Sequence, residues 1–95
     1  MKHTAQLARR KRPGERAVWA LYVCIVPGSA ADWPEYVWPK RRTAVPTLNE
    51  RRRVLAKMGY VQLDNGPWPW TEDDDAGSVM LIAATDVRPL DGGAS

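Results

Sequence analysis

Between Ala17 and Val26 the chain reads AVWALYVCIV, an uncharged run that is apolar, aromatic or β-branched throughout. Side chains alternate across a strand, so Trp19, Leu21, Val23 and Ile25 point one way and Val18, Ala20, Tyr22 and Cys24 the other. A strand that is apolar on both sides belongs in the interior of a sheet covered on both faces. The run also has the outline of a secretory signal, with basic residues before it and PGSAA after it. Trp19, Tyr22 and the density of β-branched residues suit a strand better, so the run is read as an uncleaved strand. It is too short to span a bilayer, which takes ~20 residues.

The neighbouring segments supply the rest of the sheet. His3 to Arg10 alternates weakly, and Pro13-Gly14 presets a turn, because Pro fixes φ and Gly accepts positive φ. The first feature is therefore a β-hairpin. From Pro27 to Pro46 the chain holds four prolines, three aromatics and the cluster Lys40, Arg41, Arg42. No regular structure is expected there, and so long a connection either has a task or packs as a lid. Later, Tyr60 to Asp64 reads as a short strand and Asn65-Gly66 as a turn. PWPWTE reads as an edge strand with its proline side outward. A loop from Asp73 to Ser78 leads into the last strand, VMLIAATDV, which ends at Arg88-Pro89.

One helix is expected, from Leu48 to Met58. Thr47 with Glu50 three residues on makes a capping box, and Pro46 precedes it. At the other end Gly59 can take the left-handed position that closes a helix, which lets Tyr60 pack back on Leu55. Leu48, Val54, Leu55 and Met58 share one arc and form the buried stripe. Arg51 falls inside that arc, where it either snorkels along apolar surface or pairs with a carboxylate.

The expected fold is α+β in the order ββαββ: an antiparallel sheet of about four strands with one helix on one face. Residues 1–90 form a single domain and 91–95 a disordered tail. A helix of this length spans ~17 Å and covers about three strands, on one face only. The second face needs another cover, either the Trp33, Tyr36, Trp38 connection or a second copy of the chain. With five Trp, three Tyr and no Phe in the chain, the large aromatic volume of the core has to come from tryptophan.

The net charge of +3 hides two unlike halves. Residues 1–57 carry 13 Lys and Arg against 4 Asp and Glu, and residues 58–95 carry 1 against 7. Such a division fits charge matching within the chain or between copies, and it also fits nucleic-acid affinity of the basic half. A nucleic-acid reading would use Arg9, Arg10, Lys11, Arg12 and Arg16 at the hairpin tip as a wing on phosphates, with Arg53 and Lys57 on the outward helix face. The successive Arg51, Arg52 and Arg53 fan around the helix and do not form a stripe.

Trp68 and Trp70 could offer a stacking platform for bases, yet the carboxylates from Glu72 to Asp75 just beyond would repel a phosphate backbone. Those carboxylates do not fit a calcium loop, because Gly77 is misplaced and no later Glu follows. One His and one Cys make zinc implausible, and no cofactor is expected. No nucleophile, phosphate loop or paired acid and base is present in sequence, so no catalytic residue and no enzyme activity are expected. The lone Cys24 reads as a small buried hydrophobe in a reducing compartment, which makes cytoplasm the expected location and a membrane role unexpected.

LYVCIVPG, VPTLNERRRVLAKMGY, WPWTED and MLIAATDVR together resemble a group of small uncharacterised actinobacterial proteins typified by Streptomyces chromosomes and mobile elements. The resemblance implies a single domain of cytoplasmic bacterial origin and carries no functional residue with it. The function expected is that of a small non-catalytic binding module acting through protein contacts, with self-association through the uncovered sheet face. Trp33, Tyr36, Trp38, Lys40, Arg41 and Arg42 are the candidate partner-binding residues, since amphipathic aromatics beside cations have the make-up of an interface hot spot. Nucleic-acid binding is the alternative.

Overall fold

The computed structural model describes residues 1–10, 14–75 and 78–90. The elements, in chain order, are β1 (Lys2–Arg10), β2 (Val18–Val26), a 3-10 turn (Ala30–Asp32), β3 (Glu35–Val37), α1 (Leu48–Met58), β4 (Tyr60–Gln62), β5 (Trp70–Asp75) and β6 (Ser78–Pro89). The fold is α+β, a curled antiparallel sheet with one helix. Neighbouring strands follow the order β3, β2, β1, β6, β4, and β5 also pairs with β6. The expected four strands and the ββαββ order are therefore too few and too simple.

Two local events account for the difference. Inside the proline-rich connection, Glu35, Tyr36 and Val37 pair with Tyr22, Leu21 and Ala20. Val23 N–H donates to the Pro34 carbonyl at 3.0 Å and Trp38 N–H to the Trp19 carbonyl at 2.9 Å. Pro34 and Pro39 flank this strand and do not interrupt it, so neither removes a donor the ladder needs. The second event is the length of β6. Its end at Val87–Pro89 pairs with β4 and its beginning at Ser78–Ala83 pairs with β5, both on the edge away from β1. Residues 63–69 bulge out between the two pairings. Pro67 and Pro69 lie in that excursion, and the edge strand itself starts at Trp70 and continues to Asp75, past the loop expected from Asp73.

The helix has the bounds expected from its caps. Thr47 Oγ1 accepts from Glu50 N–H while Glu50 Oε1 accepts from Thr47 N–H, both at 3.1 Å, completing the capping box. Gly59 has φ 92°, the left-handed conformation in which a β-carbon would be strained. Val54 and Leu55 are buried, and Leu48, Met58 and Tyr60 pack against the same core. That core also holds Leu7, Trp19, Leu21, Val23, Trp38, Trp68 and Val87.

The connection between β2 and α1 straddles the edge of the sheet. Trp38 enters the helix-side core, whereas Trp33 goes to the opposite face and stacks on Tyr22 with ring centres 6.2 Å apart and planes within 2°. The Arg10 guanidinium lies 4.6 Å from the centre of the same Tyr22 ring and is held by Glu35 at 2.9 Å. On that face Ala8, Ala20, Tyr22, Cys24 and Ile82 are all buried within one chain. Of the two covers left open for this face, the aromatic connection supplies one. No described helix is long and apolar enough to cross a membrane. The tail at 91–95 and the Lys11, Arg12 and Pro13 positions of the first hairpin lie outside the described residues.

Candidate functional site

The helix-side face divides lengthwise into a covered and an open part. α1 packs on β4, whose partner is the end of β6, and there the excursion 63–69 closes the layer. Gln62 organises it. Its side-chain oxygen accepts from Trp68 Nε1 at 3.0 Å and from Arg52 Nε at 3.3 Å, and its amide nitrogen donates to the Gly66 carbonyl at 2.7 Å. Arg52 also reaches the Asn65 carbonyl at 2.8 Å. Trp68 is thereby drawn into the core at 2% exposure.

Arg51, left between two fates by its helical position, takes a third. Its Nε donates to the Pro46 carbonyl at 2.9 Å, and its guanidinium carbon sits 5.2 Å from the Trp68 ring centre and 5.8 Å from that of Trp70. The cation is buried against aromatic faces and one carbonyl, and burial lowers its pKa.

The open part lies at the other end. β1 and β6 are antiparallel, so the outgoing end of β1 and the incoming end of β6 project the same way. The β1–β2 and β5–β6 hairpins therefore stand side by side. Directly paired residues share a face, so Trp70, Glu72 and Leu81 lie on the same side as Ala83, which belongs to the core. Val79 and Arg9 join them by strand alternation. Beyond the helix the burial stops: Trp70 is 44% exposed, Leu81 54% and Val79 64%. Trp70 is braced from behind by an edge contact with Trp19, ring centres 6.4 Å apart.

Beside this apolar strip lies an open hollow of about 500 Å³ whose charged lining is Arg9, Glu15, Arg16 and Lys40. The basic clusters of the hairpin and of the connection thus meet. The helical cluster does not join them, since Arg51 is buried and Arg52 is bonded to the excursion, while Arg53 and Lys57 are exposed along α1. Arg10 is turned away toward Glu35. Lys11 and Arg12 lie outside the described residues.

Of the residues expected to meet a protein partner, Trp38 is buried and Trp33 half-buried, whereas Tyr36, Lys40 and Arg41 are exposed. Arg42 makes a two-pronged pair with Glu50, at 2.8 and 2.6 Å. That pair and the Thr47 cap hold the Glu50 carboxyl down at about 2, well below its usual range. The Tyr22 hydroxyl, which donates to Gln6 Oε1 at 2.6 Å, and the Cys24 thiol are both pushed up by burial. Sequence reasoning missed the organising role of Gln62, because a single Gln at a strand end has no local pattern to mark it. It also gave no way to tell the exposed Trp70 from the buried Trp68, since no spacing signal separates them.

The sequence matches the family of unknown function DUF6303 over residues 1–95. The chain belongs to that family. No curated protein and no solved structure matches it. For this DUF6303 member the candidate site therefore rests on geometry: an exposed apolar strip of Trp70, Val79 and Leu81, with Arg9, Arg16 and Lys40 on one side and Glu72 of β5 on the other.

Proposed function

We propose that the chain is a non-catalytic binding module of the actinobacterial cytoplasm that acts through protein contacts, using the hairpin end of its sheet. One observation carries the reading: three large apolar side chains, Trp70, Val79 and Leu81, are exposed together on one face of the β5–β6 pair. Contiguous apolar surface rimmed by charge is the usual make-up of a contact site, and a braced tryptophan is the side chain most often found at its energetic centre. Tyr36, Lys40 and Arg41 of the connection extend the exposed rim. The test is a photo-crosslinking amino acid introduced at Leu81 in the producing cells. Discrete adducts are the expected result, and their absence removes the reading.

A second reading, nucleic-acid binding, is favoured by the convergence of Arg9, Arg16 and Lys40 on one hollow. Affinity of the full chain for random duplex DNA would then fall steeply between low and moderate salt, and Arg9→Ala with Arg16→Ala would flatten the slope. The carboxylates of the adjacent β5 oppose this reading electrostatically. Absence of binding even at low salt eliminates it.

A further inference from the structure

The two hairpins at the open end carry opposite charge. Arg9, Arg16 and Lys40 gather at the β1–β2 end beside Glu15, and on β5 Glu72 and Asp74 hold the positions paired with Leu81 and Val79. Among the residues whose side chains are described the ion pairs are Lys2 with Asp86, Arg10 with Glu35 and Arg42 with Glu50, and none of these joins the two hairpins. Arg9, Arg16 and Glu72 are all exposed. Between the two charged zones lie Trp70, Val79 and Leu81. A surface with a basic side, an apolar middle and an acidic side is complementary to itself after a half-turn that exchanges the sides.

We infer that the partner at this surface is a second copy of the chain, in a two-fold dimer that lays the basic hairpin of each copy against the acidic hairpin of the other. This rests on the protein-contact reading above and identifies the occupant. In a two-fold interface every contact occurs twice, so the opposed charges count double and the apolar strips meet at the centre. The same charges exclude the competing arrangements. A two-fold axis across the strands would set like charges on one another. Edge-to-edge pairing of two β5 strands would bring carboxylate runs face to face, and acidic residues on an open edge act against that pairing.

An interface of standard size takes ~800 Å² from each partner. That is about an eighth of the 6450 Å² surface of the chain.

The decisive experiment is a charge exchange followed by sedimentation equilibrium on the full chain. Wild type is expected to dimerise with increasing concentration and less readily as salt rises, and a strict monomer at about 1 mM overturns the inference. Arg9→Glu with Arg16→Glu cancels the net positive charge of the β1–β2 hairpin, and Glu72→Lys with Asp74→Lys cancels the net negative charge of β5. Each double variant alone should remain monomeric, while an equimolar mixture should recover the dimer. A loss of structure could not be rescued by mixing, and circular dichroism of each variant checks the fold independently. A wild-type dimer insensitive to salt, or a mixture that stays monomeric beside a wild-type dimer, puts the contact elsewhere and overturns the inference.

Leu81→Asp should weaken wild-type association by about tenfold or more, as truncation at an interface centre does. The crosslink at Leu81 separates the two levels of the proposal. An adduct at twice the chain mass supports the second copy. An adduct of any other mass from a monomeric chain overturns the second copy and leaves the contact reading standing, and no adduct removes both.

Discussion

The two ends of the helix-side face are built from the same kinds of residue and finish differently. At the helix end Trp68 donates its indole N–H to Gln62, and Arg51 lies buried against its ring. At the hairpin end Trp70, two residues along, has the same sheet beneath it and Trp19 behind it, yet nearly half its surface is open. The difference is cover. A helix of eleven residues and one bulged excursion are long enough to dry only the β4 end of a twelve-residue strand. The shortfall that the sequence places on the opposite face of the sheet lies instead at the far end of the same face. Trp33, Tyr22 and the Arg10–Glu35 pair close that opposite face.

The contrast predicts where the molecule is fragile. The largest effect falls on Trp68→Ala, which empties a buried aromatic site and strips Gln62 of a donor. A loss of about 3 to 5 kcal/mol is expected in urea denaturation, and a loss below about 1 kcal/mol would mean that the excursion does not hold the core together.

A smaller effect comes from acid at the helix start. Glu50 titrates lower in the folded chain than its ordinary value of 4.5, at about 2. A depressed carboxyl contributes stability that is complete above the unfolded value and is lost as pH falls from there toward the folded one. The urea midpoint of wild type should therefore fall between about pH 4.5 and pH 2 more steeply than that of Glu50→Gln. Parallel curves would show that the Arg42 pair and the Thr47 cap do not stabilise the fold.

The smallest effect on stability belongs to the hairpin end, where Leu81→Ser should change it by no more than about 0.5 kcal/mol while weakening self-association. If Leu81→Ser destabilised the monomer as Trp68→Ala does, the two ends would be one continuous core and the contrast would collapse.

Legibility followed the range of the interactions. The bounds of α1, its capping box and the left-handed Gly59 were readable because every partner lies within a few residues. The interior position of β2 followed from its two apolar faces. β3 was hidden by flanking prolines, since whether Glu35 to Val37 pairs depends on β2 presenting an open edge, which those three residues do not encode. The candidate site was half legible. Its charges stood out as opposed halves of the chain, but that Lys40 would meet Arg9 and Arg16 in one hollow depends on a long connection folding back.

The amino-acid order by itself determined one helix with both its ends, one interior strand and a division of charge, because these follow from neighbours in the chain and from the periods of helix and strand. Only the tertiary structure decided that β4 and β5 share the edge of a single long strand, that Trp68 is buried and Trp70 open, and that the basic and acidic hairpins stand side by side. Those outcomes depend on pairings between residues far apart in sequence, whose register is set by how the whole layer closes.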